Sequence, residues 1–220
     1  RRLADAVEIN AGCGWERFDH VVMAAHADQT LAMLEDADAM ERRLLSAFPY
    51  RRNEAVLHSD ARLMPRRRKV WSAWNYAADC PKAGEAAGQH ASPQSQHELS
   101  VTYWMNRLQP LRTGQDLFVT LNPLTEPALE TVHWRGTYHH PVFDTAASAA
   151  QHKLWSLQGR RRTWFCGAWF GAGFHEDGLQ AGLAVAEQLG HLRRPWTVEN
   201  ESGRIHVLLR PAPERVLEPA

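Results

Sequence analysis

Thr163–Gly190, TWFCGAWFGAGFHEDGLQAGLAVAEQLG, decides how this chain reads. Phe165 and Cys166 suit a short covered strand. Gly167, Gly171 and Gly173 then let the backbone turn where side chains would clash. Asp177 is expected at the N-cap of the helix that follows, and Gly190 just past its end. Between them Leu179, Leu183, Ala186 and Leu189 recur at helical spacing. Gly178, Ala181, Gly182 and Ala184 are small and admit a close neighbour. A helix N-terminus facing a glycine loop presents unpaired amides to an anionic group. Periodicity alone is equally compatible with an ordinary strand–loop–helix unit.

Working outward, Phe18–Ala25 reads as a buried strand centred on Val21, Val22 and Met23. His26–Leu34 has helical spacing, and a second helix is expected over Ala37–Phe48, ending before Pro49 and capped by the acidic run Glu35, Asp36 and Asp38. Glu54–His58 and Lys69–Tyr76 read as strands. Residues 77–98 are rich in Ala, Gly, Ser and Gln without apolar periodicity, which predicts a surface loop. Leu99–Arg107 alternates, and Leu117–Leu121 is expected to pair with it antiparallel through Thr113 and Gly114. Thr131–Tyr138 alternates again. Asp144–Leu157 reads as a helix capped by Asp144, with Gly159 beyond its end. Residues 199–220 read as a tail, with Ile205–Leu209 as a short edge strand.

Bulk properties exclude several classes. Lys plus Arg equals Asp plus Glu, at 25 each, so a general nucleic-acid binder is not expected. Cys13, Cys80 and Cys166 match neither a disulfide framework nor a zinc ribbon, and a reducing cytoplasm is the expected location. No stretch resembles a secretory signal, and no apolar run is long enough to span a membrane. A chain of 220 residues suffices for a core without covalent staples.

The segment CGAWFGAGFHEDGLQAGLAVAEQL resembles the C-terminal flavin motif of the FAD-dependent amine-oxidase-like superfamily, which includes amine oxidases, protoporphyrinogen oxidase and phytoene-desaturase-like enzymes. The likeness is closer to a bacterial branch of predicted NAD/FAD-binding oxidoreductases. FDHVVMAAHADQTLAML (Phe18–Leu34), LHSDARLMPRRRKVWSAWNY (Leu57–Tyr76) and WRGTYHHPVFD (Trp134–Asp144) follow that branch in order. The family opens with a strand and a G-x-G-x-x-G loop that carries the FAD pyrophosphate. No such motif occurs here, so the resemblance implies the C-terminal half of the family's protein, with the missing N-terminal half as its partner.

The implied fold is α/β. Residues 1–36 and 144–198 would be the C-terminal portion of an FAD/NAD(P)-binding, Rossmann-like domain. Residues 37–143 would form a mixed or antiparallel substrate-side sheet with helices. The implied cofactor is FAD, held by Gly167, Ala168, Gly173, Phe174, His175, Glu176, Asp177, Gly178 and Leu179. Relatives carry Gly-Asp where this chain has Gly167-Ala168, so a side-chain hydrogen bond is lost there. The implied reaction is hydride transfer to flavin from a small amine or an apolar, lipid-like substrate. The alternative is a non-catalytic assembly half that binds FAD only with an N-terminal partner.

Other candidates come from the middle of the chain. Trp74, Asn75 and Tyr76 would line the substrate, or form a packed aromatic strand. His139 and His140 are the candidates for proton transfer. Adjacent strand residues face opposite ways, so no metal site is expected from them. The runs Pro65–Lys69 and Arg160–Arg162 read as solvated faces or as guides for an anionic substrate.

Overall fold

The computed structural model describes residues 1–78 and 99–208. Along the chain they form β1 (Val7–Asn10), β2 (Trp15–Phe18), β3 (Val21–Met23), α1 (Ala27–Met33), α2 (Ala39–Leu45), β4 (Tyr50–His58) and β5 (Trp74–Ala78). There follow β6 (Leu99–Trp104), α3 (Met105–Leu108), β7 (Phe118–Leu121), β8 (Val132–Pro141), α4 (Thr145–Leu154), β9 (Thr163–Phe165) and α5 (His175–Gly190). These elements divide into two units, residues 1–51 with those from 141 onward, and residues 52–140.

In the first unit β3 and β9 pair in parallel, with Val21 opposite Thr163 and Met23 opposite Phe165. Phe165 enters a core with Leu44, Leu45, Phe48, Leu154, Leu157, Phe170 and Val185, and Met23 and Trp164 pack against it. Full burial of each such side chain is worth about 1.5–3 kcal/mol. The second helix starts where its acidic residues predict. The Asp38 carboxylate accepts the Glu41 N–H at 2.9 Å, and the Glu41 carboxylate accepts the Asp38 N–H at 2.8 Å. Glu41 is 1 % exposed and forms an ion pair with Arg2, whose Nε also donates to Asp36 at 2.9 Å. Arg160 reaches Asp38 at 2.9 Å and Arg161 pairs with Asp36. Two members of that basic run are therefore tied to the acidic turn before α2. Asp144 caps α4 by accepting the Ala147 N–H at 2.8 Å, and Gly159 follows with φ of 71°.

The second unit is a five-stranded sheet in the order β5-β6-β7-β4-β8. β6 pairs antiparallel with both β5 and β7, and β7 pairs antiparallel with β4. A polar row crosses its buried face. The Asp60 N–H donates to His58 Nδ1 at 3.1 Å, which leaves the ring proton on Nε2. Nε2 then donates to Thr120 Oγ1 at 2.7 Å, and the Thr120 and Thr102 hydroxyls share a hydrogen bond at 2.9 Å.

The structure departs from expectation at several points. β1 and β2 form an antiparallel hairpin that the sequence reading did not anticipate. The strand expected to reach Arg107 stops at Trp104, where the chain turns into α3. The Asn106 side chain holds that turn by accepting the Leu117 N–H at 2.7 Å and donating to the Gln115 carbonyl at 2.8 Å. The strand expected from Lys69 begins only at Trp74, preceded by a 3-10 turn over Arg68–Val70. Residues 37–51 group with the first unit, because Leu44, Leu45 and Phe48 lie in its core. Ile205–Leu208 forms no strand; Ile205 is instead 7 % exposed in the first unit's core. Leu209 and the expected loop beyond Ala78 lie outside the described residues. Among the described residues no helix is long and apolar enough to cross a membrane.

Candidate functional site

The site is built at the carboxyl ends of β3 and β9, the edge where open α/β sheets place ligands. The Cys166 N–H donates to the Met23 carbonyl at 3.0 Å, and the Trp169 indole donates to the Ala25 carbonyl at 3.1 Å. The turns after the two strands are thus joined. Gly167 has φ of 148° and Gly173 has φ of 90°. A Cβ on Gly167 would lie 2.6 Å from the Trp169 indole nitrogen, so only glycine fits. Between them the Ala168 carbonyl accepts the N–H groups of Gly171 and Gly173, both at 3.1 Å. Gln151 of α4 donates to the carbonyls of Trp169 (3.0 Å) and Gly171 (2.6 Å). The turn is therefore held from both sides before α5 begins.

Asp177 is not the N-cap. Phe174 occupies that position, and Asp177 is the third helical residue. Its carboxylate, fully buried, accepts the Phe174 N–H at 2.7 Å and Arg204 Nε at 2.5 Å. Arg204, which holds it, lies 27 residues later in the chain. Gly171 lies against this pair: a Cβ there would be 2.7 Å from the Asp177 carboxyl carbon. Gly190 likewise ends inside α5, and His191 takes the left-handed position with φ of 50°. His175 and Glu176 lie in the first turn, where helical amides lack internal partners. Phe174 and Leu179 are 49 % and 56 % exposed. A Cβ at Gly178 would sit 3.5 Å from the Ala168 backbone nitrogen, so helix and turn approach closely there.

The donor set fits a flavin dinucleotide in part. Gly167 and Ala168, the Gly173–Phe174 turn and the amides of His175 and Glu176 offer backbone groups at a helix start. Asp177 is committed to the fold and offers no free oxygen edge of the kind a ribityl hydroxyl needs.

The remaining candidates lie in the second unit. Trp74 and Tyr76 share one face of β5, 43 % and 62 % exposed, with Trp74 edge-on to Tyr103 at 5.6 Å. Asn75 faces the other way. Its side chain binds the Ser72 N–H at 3.0 Å and carbonyl at 2.8 Å, so its role is to turn the chain into β5. His139 and His140 alternate on β8, and His140 Nδ1 lies 2.9 Å from the Asn53 amide nitrogen. Trp134, Tyr138 and His140 share one face of that strand, with ring centroids 6.0 and 6.3 Å apart. Trp71, beside the candidates in sequence, packs inward against Trp104 and Phe118 with Arg68 over its ring at 4.6 Å. Among the described residues no group of three His, Cys, Asp or Glu side chains is placed to hold a metal.

The sequence reading missed Gln151 and Arg204. Gln151 follows a run of alanines on a helix, and Arg204 lies in a segment whose Ile-His-Val alternation imitates a strand. Neither has a local signature, because their partners lie far along the chain.

No family model matches this chain, and no curated protein matches it. Among solved structures it is similar to a protein described as "Putative protoporphyrinogen oxidase from Exiguobacterium sp. 255-15". The TM-score is 0.54 at 9 % identity, over 86 % of this chain and 45 % of that one. It also matches a "CLA-producing fatty acid isomerase from P. acnes" with a TM-score of 0.42 and 16 % identity, over 76 % of this chain and 40 % of that one. The second likeness is too low to carry an argument. The first shows a shared fold, and this chain spans less than half the length of either protein.

Proposed function

We propose that this chain is the C-terminal portion of an FAD-dependent oxidoreductase, with the start of α5 set against the flavin. The observation that carries this reading is the convergence of the β3 and β9 carboxyl ends on a glycine turn that opens a 16-residue helix. The fold shared with a protein described as a protoporphyrinogen oxidase supports it, since the sequence resembles the superfamily that includes such enzymes. Bound FAD would accept hydride from a C–H or C–N unit of the substrate. The chain's own part is to present amides at His175 and Glu176, where the helix end favours negative charge by about 0.3–2 kcal/mol. Trp74 and Tyr76 would offer flat apolar contact to a small amine or lipid-like substrate. His139 or His140 would hold the proton.

A second feature favours an assembly in which FAD binds only with a further polypeptide. The parallel sheet of the first unit has two strands among the described residues. Parallel strands are stable when flanked and covered. On the outer edge of β9, the Gln158 side chain accepts the Phe165 N–H at 2.8 Å and donates to its carbonyl at 2.6 Å. That edge is closed by a side chain imitating a strand. β3 is the remaining side, with Val22 43 % exposed. A strand followed by the G-x-G-x-x-G loop, added along β3, would complete both sheet and cofactor cradle.

Leu179→Asp tests the placement of α5. Leu179 is exposed, so stability should change by no more than about 0.5 kcal/mol. A new negative charge beside the flavin should weaken FAD retention by roughly tenfold or more in the complete flavoprotein. Unchanged FAD affinity would remove this surface from the cofactor site.

A further inference from the structure

A cleft of about 330 Å³ opens in the first unit on the α4 side of the Gly171–Gly173 turn. Exposed Phe143 gives it an aromatic wall over the buried ring of Phe170, Ser148 and Gln151 line it from α4, and Arg204 and His206 line it from the segment after α5. That size suits a small organic molecule, and apolar walls with a few convergent polar groups are the usual makeup of a ligand site.

The segment bearing Arg204 and His206 is anchored at three points. Ile205 is buried in the core. The Arg204 N–H donates to Gln180 Oε1 at 3.2 Å, and Arg204 Nε donates to buried Asp177 at 2.5 Å. Holding Nε orients the guanidinium and leaves its two Nη groups for a second acceptor. A guanidinium fork binds a carboxylate in that way, and the exposed ring of Phe143 accepts a flat apolar body.

We propose that this cleft is a binding site for a small planar carboxylic acid, its carboxylate on Arg204 and its flat body against Phe143. Asp177 already balances the charge of Arg204, so an arriving carboxylate adds a net negative charge. His206 is the group placed to neutralise it. The titratable group acting on His206 is His152 of α4, whose ring centroid lies 3.8 Å away. Burial and His152 both disfavour protonated His206 in the empty cleft. Binding therefore draws in a proton and tightens as pH falls.

The test is calorimetric titration of the whole chain with trans-cinnamate at about pH 5.5 and about pH 8, either side of the ordinary histidine range. One saturable site is expected, tighter at the lower pH. Arg204→Gln should weaken it by roughly tenfold or more. Ser148→Phe, which fills the cleft from an exposed position on α4, should weaken it similarly while leaving Arg204 and its anchors in place. His206→Asn should remove the pH dependence. Cinnamyl alcohol, which lacks the charge, should bind roughly tenfold or more weakly. Absence of saturable binding at both pH values would overturn the proposal. So would equal binding of the alcohol, or binding indifferent to both Arg204→Gln and Ser148→Phe.

Discussion

Asp177 shows how a residue can be recognised as important and assigned the wrong work. Its place in GFHEDG suggests a cap or a cofactor ligand. The deciding partner is Arg204, and no local pattern predicts a contact across 27 residues. Asn75 repeats the lesson: its amide fixes the Ser72 turn rather than facing Trp74 and Tyr76. His58 gives a residue-scale prediction. It is fully buried, and burial, outweighing the opposing charge of Asp60 and helped slightly by His133, lowers its pKa below the usual 6.5. The unfolded chain therefore binds the proton first as pH falls. Stability contributed by neutral His58 is complete above about pH 6.5 and is lost as pH drops from there toward the depressed folded value. Amide exchange in β6 and β7 should accelerate over that window, and His58→Gln should flatten the change. Exchange independent of pH there, after correction for intrinsic rates, would contradict this. Glu187, held near 2 by Arg194, acts only between its ordinary value of 4.5 and about pH 2, so it does not contribute at the upper end of the His58 window.

At the scale of elements, α1, α2, α4 and β9 were legible because each carries its own signal. Asp38 and Asp144 are sequence-local caps, and Val21–Met23 and Thr163–Phe165 are short apolar runs. The elements misread are those set by distant side chains. Asn106 ends β6 early through Leu117, and Ile205 leaves a strand-like pattern to fill the core. The edge of β9 belongs to the same class, since nothing around Gln158 announces that its amide will act as a strand. Gln158→Ala would leave the Phe165 N–H and carbonyl unpaired in a buried strand, which costs about 1–3 kcal/mol per group. Chemical denaturation should show that loss, and a change below about 0.5 kcal/mol would mean the edge is satisfied another way.

On the scale of the whole molecule, the proposed function makes the first unit half of a cofactor cradle. The glycine turn and α5 are in place, and β9 is closed on its outer edge by Gln158. No G-x-G-x-x-G motif occurs in the sequence. Among the described residues the parallel pair has two strands, and under the proposed function the added element would lie along β3. The most direct measurement is FAD retention after dialysis, read from the visible flavin spectrum. The chain is prepared alone and together with a polypeptide supplying a strand and its G-x-G-x-x-G loop. Stoichiometric FAD is expected in the assembled pair and none in the chain alone. Stoichiometric FAD held by the chain alone, or an assembled pair that holds none, would contradict it.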